Sequence, residues 1–157
     1  MSAEDVLFDM LHAEIVSYMV SKDSKTEDED LSMLEHLGYS CGWRLIERIT
    51  KELPRYKEEL EILKFICTDF WSCVYKKQVD NLRTNHQGVY VLQDNEFRFL
   101  NKLSNGTQYL KEAPKYATFT SGLIRGALEN FGIASIVTVE INRMPSCKFH
   151  VHVQQSS

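Results

Sequence analysis

Two pairs of glycines, each pair four residues apart, lie in stretches of the chain that otherwise have a helical pattern. Gly38 and Gly42 form the first pair, and Gly122 and Gly126 form the second. A glycine inside a helix costs about 1 kcal/mol relative to alanine, so a helix that keeps two of them usually needs another group to approach its backbone closely. In membranes this spacing brings helices into close pairs.

Charged residues in the same stretches exclude a membrane-spanning helix. They are Arg44 and Glu47 beside the first glycine pair, and Arg125 and Glu129 beside the second. We therefore expect the four glycines to be close-packing positions in a soluble protein. Two interpretations stay open: the glycines fit a tight core, or they line a groove that receives a partner or an apolar ligand.

Length and charge narrow the class of protein. The 157 residues suffice for one domain with its own core, and we treat residues 1–157 as that single domain. The net charge of −4 gives no reason to expect nucleic-acid binding. The chain has no run of 18 apolar residues, its first residues are acidic, and its four cysteines include no C-x-x-C pair, so we expect a cytoplasmic protein with reduced thiols.

The hydrophobic pattern predicts four helices and two pairs of strands. Apolar residues at three- and four-residue steps predict helices over residues 4–20, from about 32 to 51, 55–77 and 114–131. Alternating or β-branched residues predict strands over 79–85, 89–93, 133–141 and 147–153, with a possible short segment at 97–100. This order predicts an α+β fold, an antiparallel sheet of about four strands packed against a layer of helices.

Residues 21–30 form a strongly acidic segment without an apolar side chain. Such a segment cannot join a core, so we expect a mobile, solvated loop. Ser24 and Thr26 precede a run of carboxylates and suit an acid-directed kinase, although an unmodified linker is the simpler interpretation.

The residues that could carry chemistry are sparse. His150 and His152 alternate along one predicted strand and could be half of a metal site, but no third ligand has a readable spacing. The basic residues Lys76, Lys77, Arg83 and Arg98 could form a small patch or a solvated face. No nucleophile, phosphate-loop or zinc motif is present. We therefore predict no catalytic residues, no metal, no cofactor and no enzymatic activity.

Several segments together resemble a known family. They are LGYSCGWRLIER at 37–48, EELEILKFIC at 58–67, DNLRTNHQGVYVLQDN at 80–95, GLIRGAL at 122–128 and MPSCKF at 144–149. The chain resembles the small core subunits of the transport protein particle (TRAPP), a vesicle-tethering complex that activates Rab GTPases, and most closely the subunit-six type.

The resemblance implies a non-catalytic subunit of this complex in ER-to-Golgi and Golgi transport. It implies a heterodimer with a related, fatty-acylated core subunit, further TRAPP subunits as partners, and a Rab GTPase reached only through the complex. It also implies a cytoplasmic location, peripheral at the cis-Golgi and endoplasmic reticulum. The acylated relatives carry a cysteine just after the second helix, whereas residues 49–57 here contain none. Acylation is therefore not expected.

The resemblance places the heterodimer surface on the first two helices. The apolar residues available there are Leu7, Phe8, Leu11, Ile15, Tyr18, Leu31, Leu34 and Leu37. The alternative function is a small-molecule domain that holds an apolar ligand under the helices. Bulky residues inside would oppose a ligand pocket, and the candidates are Phe65, Phe70, Trp71, Phe119 and Phe131.

Overall fold

The computed structural model describes residues 27–51, 58–97, 113–143 and 145–155. The long helices of this part are α1 (Glu27–Ile49) and α4 (Ala113–Asn130). Between them, one continuous helical segment comprises α2 (Glu59–Phe65), a π-helix (Ile66–Phe70) and α3 (Trp71–Tyr75). The strands are β1 (Asn81–Thr84), β2 (Val89–Asp94), β3 (Ser135–Glu140) and β4 (Cys147–Val153).

The four strands form one antiparallel sheet in the order β1-β2-β4-β3. Tyr90 in β2 lies opposite Val151 in β4, and Val151 lies opposite Val137 in β3. Side chains alternate between a buried and a more exposed face along β2 and β4. The predicted α+β fold with a four-stranded antiparallel sheet is therefore confirmed.

The segment Glu59–Tyr75 contacts the sheet on one side and α4 on another, and α4 also packs directly on β3. On the sheet side, the ring of Trp71 lies 5.6 Å from that of Phe149, measured between centroids. On the other side, the hydroxyl groups of Tyr75 and Thr120 share a hydrogen bond. This central position explains why its apolar face is so broad, although Leu60 within that face is 36% exposed.

A π-helical turn interrupts this segment at Ile66–Phe70. The backbone N–H of Val79, just before β1, donates a 2.9 Å hydrogen bond to the carbonyl of Cys67 within the turn. The chain leaves the helix at Lys76, which has a left-handed φ of 63°. The hydrogen bond from Val79 thus links the π-helical turn to the residues that lead into β1.

Helix α1 begins earlier than the sequence predicts. It starts at Glu27, so the last four residues of the acidic segment 21–30 are helical, and a loop is the wrong prediction for them. The helix dipole favours carboxylates at a helix N-terminus, so these residues can be helical without burying apolar surface. Residues 21–26 lie outside the described residues, as does the predicted helix over 4–20.

Candidate partner interface

Helices α1 and α4 touch through their backbones at the four predicted glycines. A Cβ atom added at Gly38 would lie 2.1 Å from the carbonyl oxygen of Phe119, and one added at Gly126 would lie 2.0 Å from that of Tyr39. At Gly42 and Gly122 the corresponding distances to a backbone carbonyl oxygen are both 2.1 Å. Because the obstructing atoms belong to backbone, they cannot move aside as a flexible side chain can.

The two helices run in the same direction. Gly38 faces Phe119 and Gly42 faces Leu123, so the contact advances along both helices together. Each glycine turns a Cα hydrogen towards a carbonyl oxygen of the other helix, the geometry of weak C–H···O hydrogen bonds. The crossing therefore places α1 on α4 at a separation that only glycine permits.

An ion pair beside the crossing fixes the same two helices. The Arg125 guanidinium donates from Nε to Oε1 of Glu35, and from Nη2 to Oε2 of Glu35 at 3.1 Å. Its carbon Cζ also lies 4.1 Å from the ring centroid of Tyr39, within cation–π range. Chiefly through the Glu35 hydrogen bond, this environment raises the pKa of Arg125.

Two large apolar residues of α1 remain exposed. Met33 is 42% exposed and Trp43 is 36% exposed. The backbone carbonyl of Trp43 accepts a 3.0 Å hydrogen bond from Asn130, and its ring lies 6.3 Å from that of Tyr39. Neither Met33 nor Trp43 was predicted as a partner residue, because periodicity alone does not show which apolar residues a neighbouring helix leaves uncovered.

The residues predicted for the partner interface fall into three groups. Leu7, Phe8, Leu11, Ile15 and Tyr18 lie outside the described residues. Leu31 and Leu37 are half-buried, and Leu37 packs against the core. Leu34 is fully buried within the chain and has no surface to offer a partner, so its place in the predicted interface is wrong.

The groups considered for other chemistry do not converge on one site. His150 Nε2 lies 2.7 Å from Oε2 of Glu140, and His152 is exposed on the same sheet face. Among the described residues, no three His, Cys, Asp or Glu side chains lie together as metal ligands. Lys77 is bound by two carboxylates, Asp80 at 2.8 Å and Asp94 at 2.6 Å, and so does not belong to a free basic patch.

Three of the four thiols are poor nucleophiles. Burial raises the pKa of Cys67 to about 12 and also raises the pKa of Cys147 well above its ordinary value. Burial likewise raises the pKa of Cys41, against the opposing charge of Arg44. Since the thiolate is the reactive form, these three positions do not suit covalent modification.

Bulky side chains occupy the interior where the alternative function would require a pocket. Phe65, Phe70, Trp71 and Phe119 are buried, whereas Phe131 is half-buried against them. Described residues line an open groove of about 610 Å³ between α1, α4 and β3. In the part of the chain that the structure describes, no helix is long and apolar enough to cross a membrane.

Comparison with known proteins agrees with this architecture. The family model described as "Transport protein particle (TRAPP) component" matches residues 8–154. Trafficking protein particle complex subunit 6b of Danio rerio is 55% identical, and subunit 6B of Homo sapiens is 54% identical. The human subunit 6A is 47% identical. Each of the three alignments covers 98% of this chain and 99% of the relative.

A solved structure shares the fold. It is the trafficking protein particle complex subunit 3 from Naegleria fowleri, covalently bound to palmitic acid, with a TM-score of 0.78 and 19% identity. The superposition covers 96% of this chain and 95% of that one. The family match and the end-to-end similarity to subunit 6 relatives lead to one conclusion: the chain belongs to the TRAPP component family and is of the subunit 6 type.

Proposed function

We propose that this chain is a non-catalytic structural subunit that forms a heterodimer with a related, acylated core subunit of a TRAPP complex. The observation that carries the proposal is that α1 is held firmly on α4 but leaves two large apolar residues exposed. The glycine crossing and the Glu35–Arg125 ion pair hold this helix on α4, yet Met33 and Trp43 stay exposed. A rigid helix that presents a tryptophan and a methionine has the composition typical of an interface centre.

The proposal includes a wider role, which membership of the family supports. Within the complex, the chain supports Rab GTPase activation during ER-to-Golgi and Golgi transport, and the exchange activity belongs to the assembly. The chain itself is peripheral to the membrane and reaches it through its partners. In support, subunit 6 relatives match it over nearly their whole length.

Co-expression with the related core subunit tests the heterodimer. We expect Trp43→Ala combined with Met33→Asp to reduce stoichiometric co-purification strongly, because both residues leave water only at the interface. Leu60→Asp is the matched control, since Leu60 has the same 36% exposure as Trp43 but lies on α2.

A second double variant tests the predicted helix before residue 27. Leu11→Asp with Ile15→Asp should also abolish partner binding. If both double variants still co-purify with the partner in equal amounts, the heterodimer surface lies elsewhere on the chain and the proposal is wrong.

A further inference from the structure

The two edges of the sheet are protected very differently. Strand β1 has only four residues and carries the exposed Arg83. Strand β3 has six residues, Ser-Ile-Val-Thr-Val-Glu, with no lysine, arginine or proline. Natural proteins normally block a free edge with short strands, charge or proline, because an open edge recruits another strand. By this criterion β1 is blocked, whereas β3 carries a charge only at its last residue, Glu140, and is open over residues 135–139.

The hydrogen bonds show which residues of β3 face the open edge. Gln154 N–H, just after β4, donates a 2.8 Å bond to the carbonyl of Ala134, just before β3, so these two form a hydrogen-bonded pair that continues the ladder. Such pairs alternate along an antiparallel ladder. Ile136 and Thr138 therefore turn their backbone groups towards β4, whereas Val137 and Val139 turn theirs outwards.

Within the described part of the chain, these outward groups are unpaired. Among the described residues, the backbone N–H and C=O groups of Val137 and Val139 take part in no hydrogen bond outside the ladder, although both residues are half-buried. Two donors and two acceptors thus repeat along β3 at two-residue spacing, the pattern that an extended backbone complements.

A groove runs beside this edge. The open groove of about 610 Å³ is bounded by β3 at Val137 and Val139, by α1 at Leu31 and by α4 at Thr118. Among the described residues that line it, Glu35 is the only charged one, and it is already paired with Arg125. The described lining therefore offers apolar and hydroxyl surface without an unpaired charge.

We propose that the outer edge of β3 is an interaction surface that takes an uncharged, extended segment of another polypeptide as a fifth strand. The spacing of the unpaired groups demands an extended backbone. The neutral lining matches a segment whose groove-facing side chains are uncharged, since a charge there would lose water without gaining a partner. This is strand addition, in which backbone bonds supply affinity and alternate side chains supply specificity.

This surface is independent of the helical surface proposed for the heterodimer, and its test uses a different readout. Amide hydrogen exchange is measured in the full chain expressed alone and in the stoichiometric assembly co-purified with the tagged full chain. In the chain alone, the amides of Val137 and Val139 should exchange about tenfold or more faster than those of Ile136 and Thr138. In the assembly, all four should exchange slowly.

A proline variant identifies the cause of the protection. Val137→Pro removes an outward N–H and leaves the bonds to β4 intact, as proline at an edge position allows. Val137→Thr keeps the N–H and the β-branched shape and is the control. The proline variant should lose protection at Val139 and lose one subunit from the assembly, whereas the threonine variant should lose neither.

If Val137→Pro unfolds the chain, the comparison of hydrogen exchange in the wild type still tests the proposal.

Fast exchange of Val137 and Val139 in the assembly would show that the edge has no partner and would overturn the proposal. Slow exchange in the chain alone at all concentrations would mean that its own residues cover the edge. Slow exchange that appears only at high concentration of the chain alone would assign the surface to a second copy. Either result also overturns the proposal. If the α1 variants lose the heterodimer but Val137 and Val139 stay protected in the remaining assembly, the two surfaces bind different partners.

Discussion

The indole nitrogen of Trp71 donates a 2.9 Å hydrogen bond to Oδ2 of Asp94, a carboxylate with no exposed surface. The other carboxylate oxygen accepts from Lys77 Nζ at 2.6 Å and from the backbone N–H of Glu96 at 3.1 Å. Asp94 ends β2, and Trp71 begins α3. One buried carboxylate therefore joins the central helical segment to the sheet.

Removing this carboxylate should destabilise the fold. Asp94→Ala leaves the indole N–H buried without an acceptor and takes a partner from Lys77, so we expect a loss of about 2–3 kcal/mol in the free energy of unfolding. Asp94→Asn can still accept from Trp71 and should lose less. Urea denaturation measures both, with Asp69→Ala at an exposed site of the same helical segment as control. Equal stability of the two alanine variants would contradict the assignment.

Alanine at the helix crossing should also destabilise the chain. Gly126→Ala improves helix propensity by about 1 kcal/mol, but its methyl group would meet the carbonyl of Tyr39. The helices must separate, and overpacking of this kind costs about 1–3 kcal/mol or more. Ser32→Ala, at an exposed position of α1, is the control. A melting temperature for Gly126→Ala at or above that of the wild type would show that the backbones are not in contact.

The phenol of Tyr90 should ionise at a higher pH than an ordinary tyrosine. Its hydroxyl donates a 2.5 Å hydrogen bond to Oε2 of Glu59, and burial together with this carboxylate raises the pKa of Tyr90 to about 12. The native state thus favours the neutral phenol. Its stabilisation is complete below pH 10, the ordinary pKa of tyrosine, and is lost as the pH rises from there through about 12.

The difference in phenolate absorbance between the wild type and Tyr90→Phe isolates this titration. Glu59→Gln should lower the pKa of Tyr90 by removing the negative charge. A wild-type midpoint near 10 that Glu59→Gln does not move would mean that the hydrogen bond is absent in solution.

Two buried serines should respond differently to alanine. Ser121 Oγ donates a 2.8 Å hydrogen bond to the carbonyl of Thr118, whereas the buried Oγ of Ser135 has no hydrogen-bond partner among the residues that the structure describes. Ser121→Ala should cost about 1 kcal/mol in the free energy of unfolding, and Ser135→Ala should be neutral or stabilising because it removes an unsatisfied hydroxyl. Denaturation midpoints of the two variants provide the comparison. A larger loss for Ser135→Ala would reveal a partner for that hydroxyl.

Local patterns sufficed to predict much of the fold. The alternation in residues 147–153 and the β-branched run before it predicted β4 and β3, since a half-buried strand imposes a period of two. The glycine-bearing stretch from about 114 to 131 predicted α4, which ends at Asn130. The two glycines within each of two predicted helices also indicated close packing. Each glycine lowers helix stability, so a compensating contact is needed.

Other features depend on the hydrogen bonds and packing of the folded chain. The π-helix at Ile66–Phe70 has ordinary helical residues, and nothing in its composition distinguishes it from an α-helix. The helical start at Glu27 lies inside a segment too polar for any core. The π-helix depends on where backbone hydrogen bonds form, which the apolar pattern does not show. The carboxylates that favour a helical start at Glu27 suit a solvated loop equally well.

The sequence by itself determined the fold class, the order of strands and helices, the family and the positions that had to remain glycine, because each leaves a local or periodic trace. The tertiary structure alone decided what lies against those positions. It paired the two glycine helices with each other, buried Leu34, left Trp43 exposed, and turned the backbone groups of Val137 and Val139 to an open edge. These outcomes depend on which distant segments become neighbours, and neighbours in space are fixed by packing the whole chain rather than by any window of its residues.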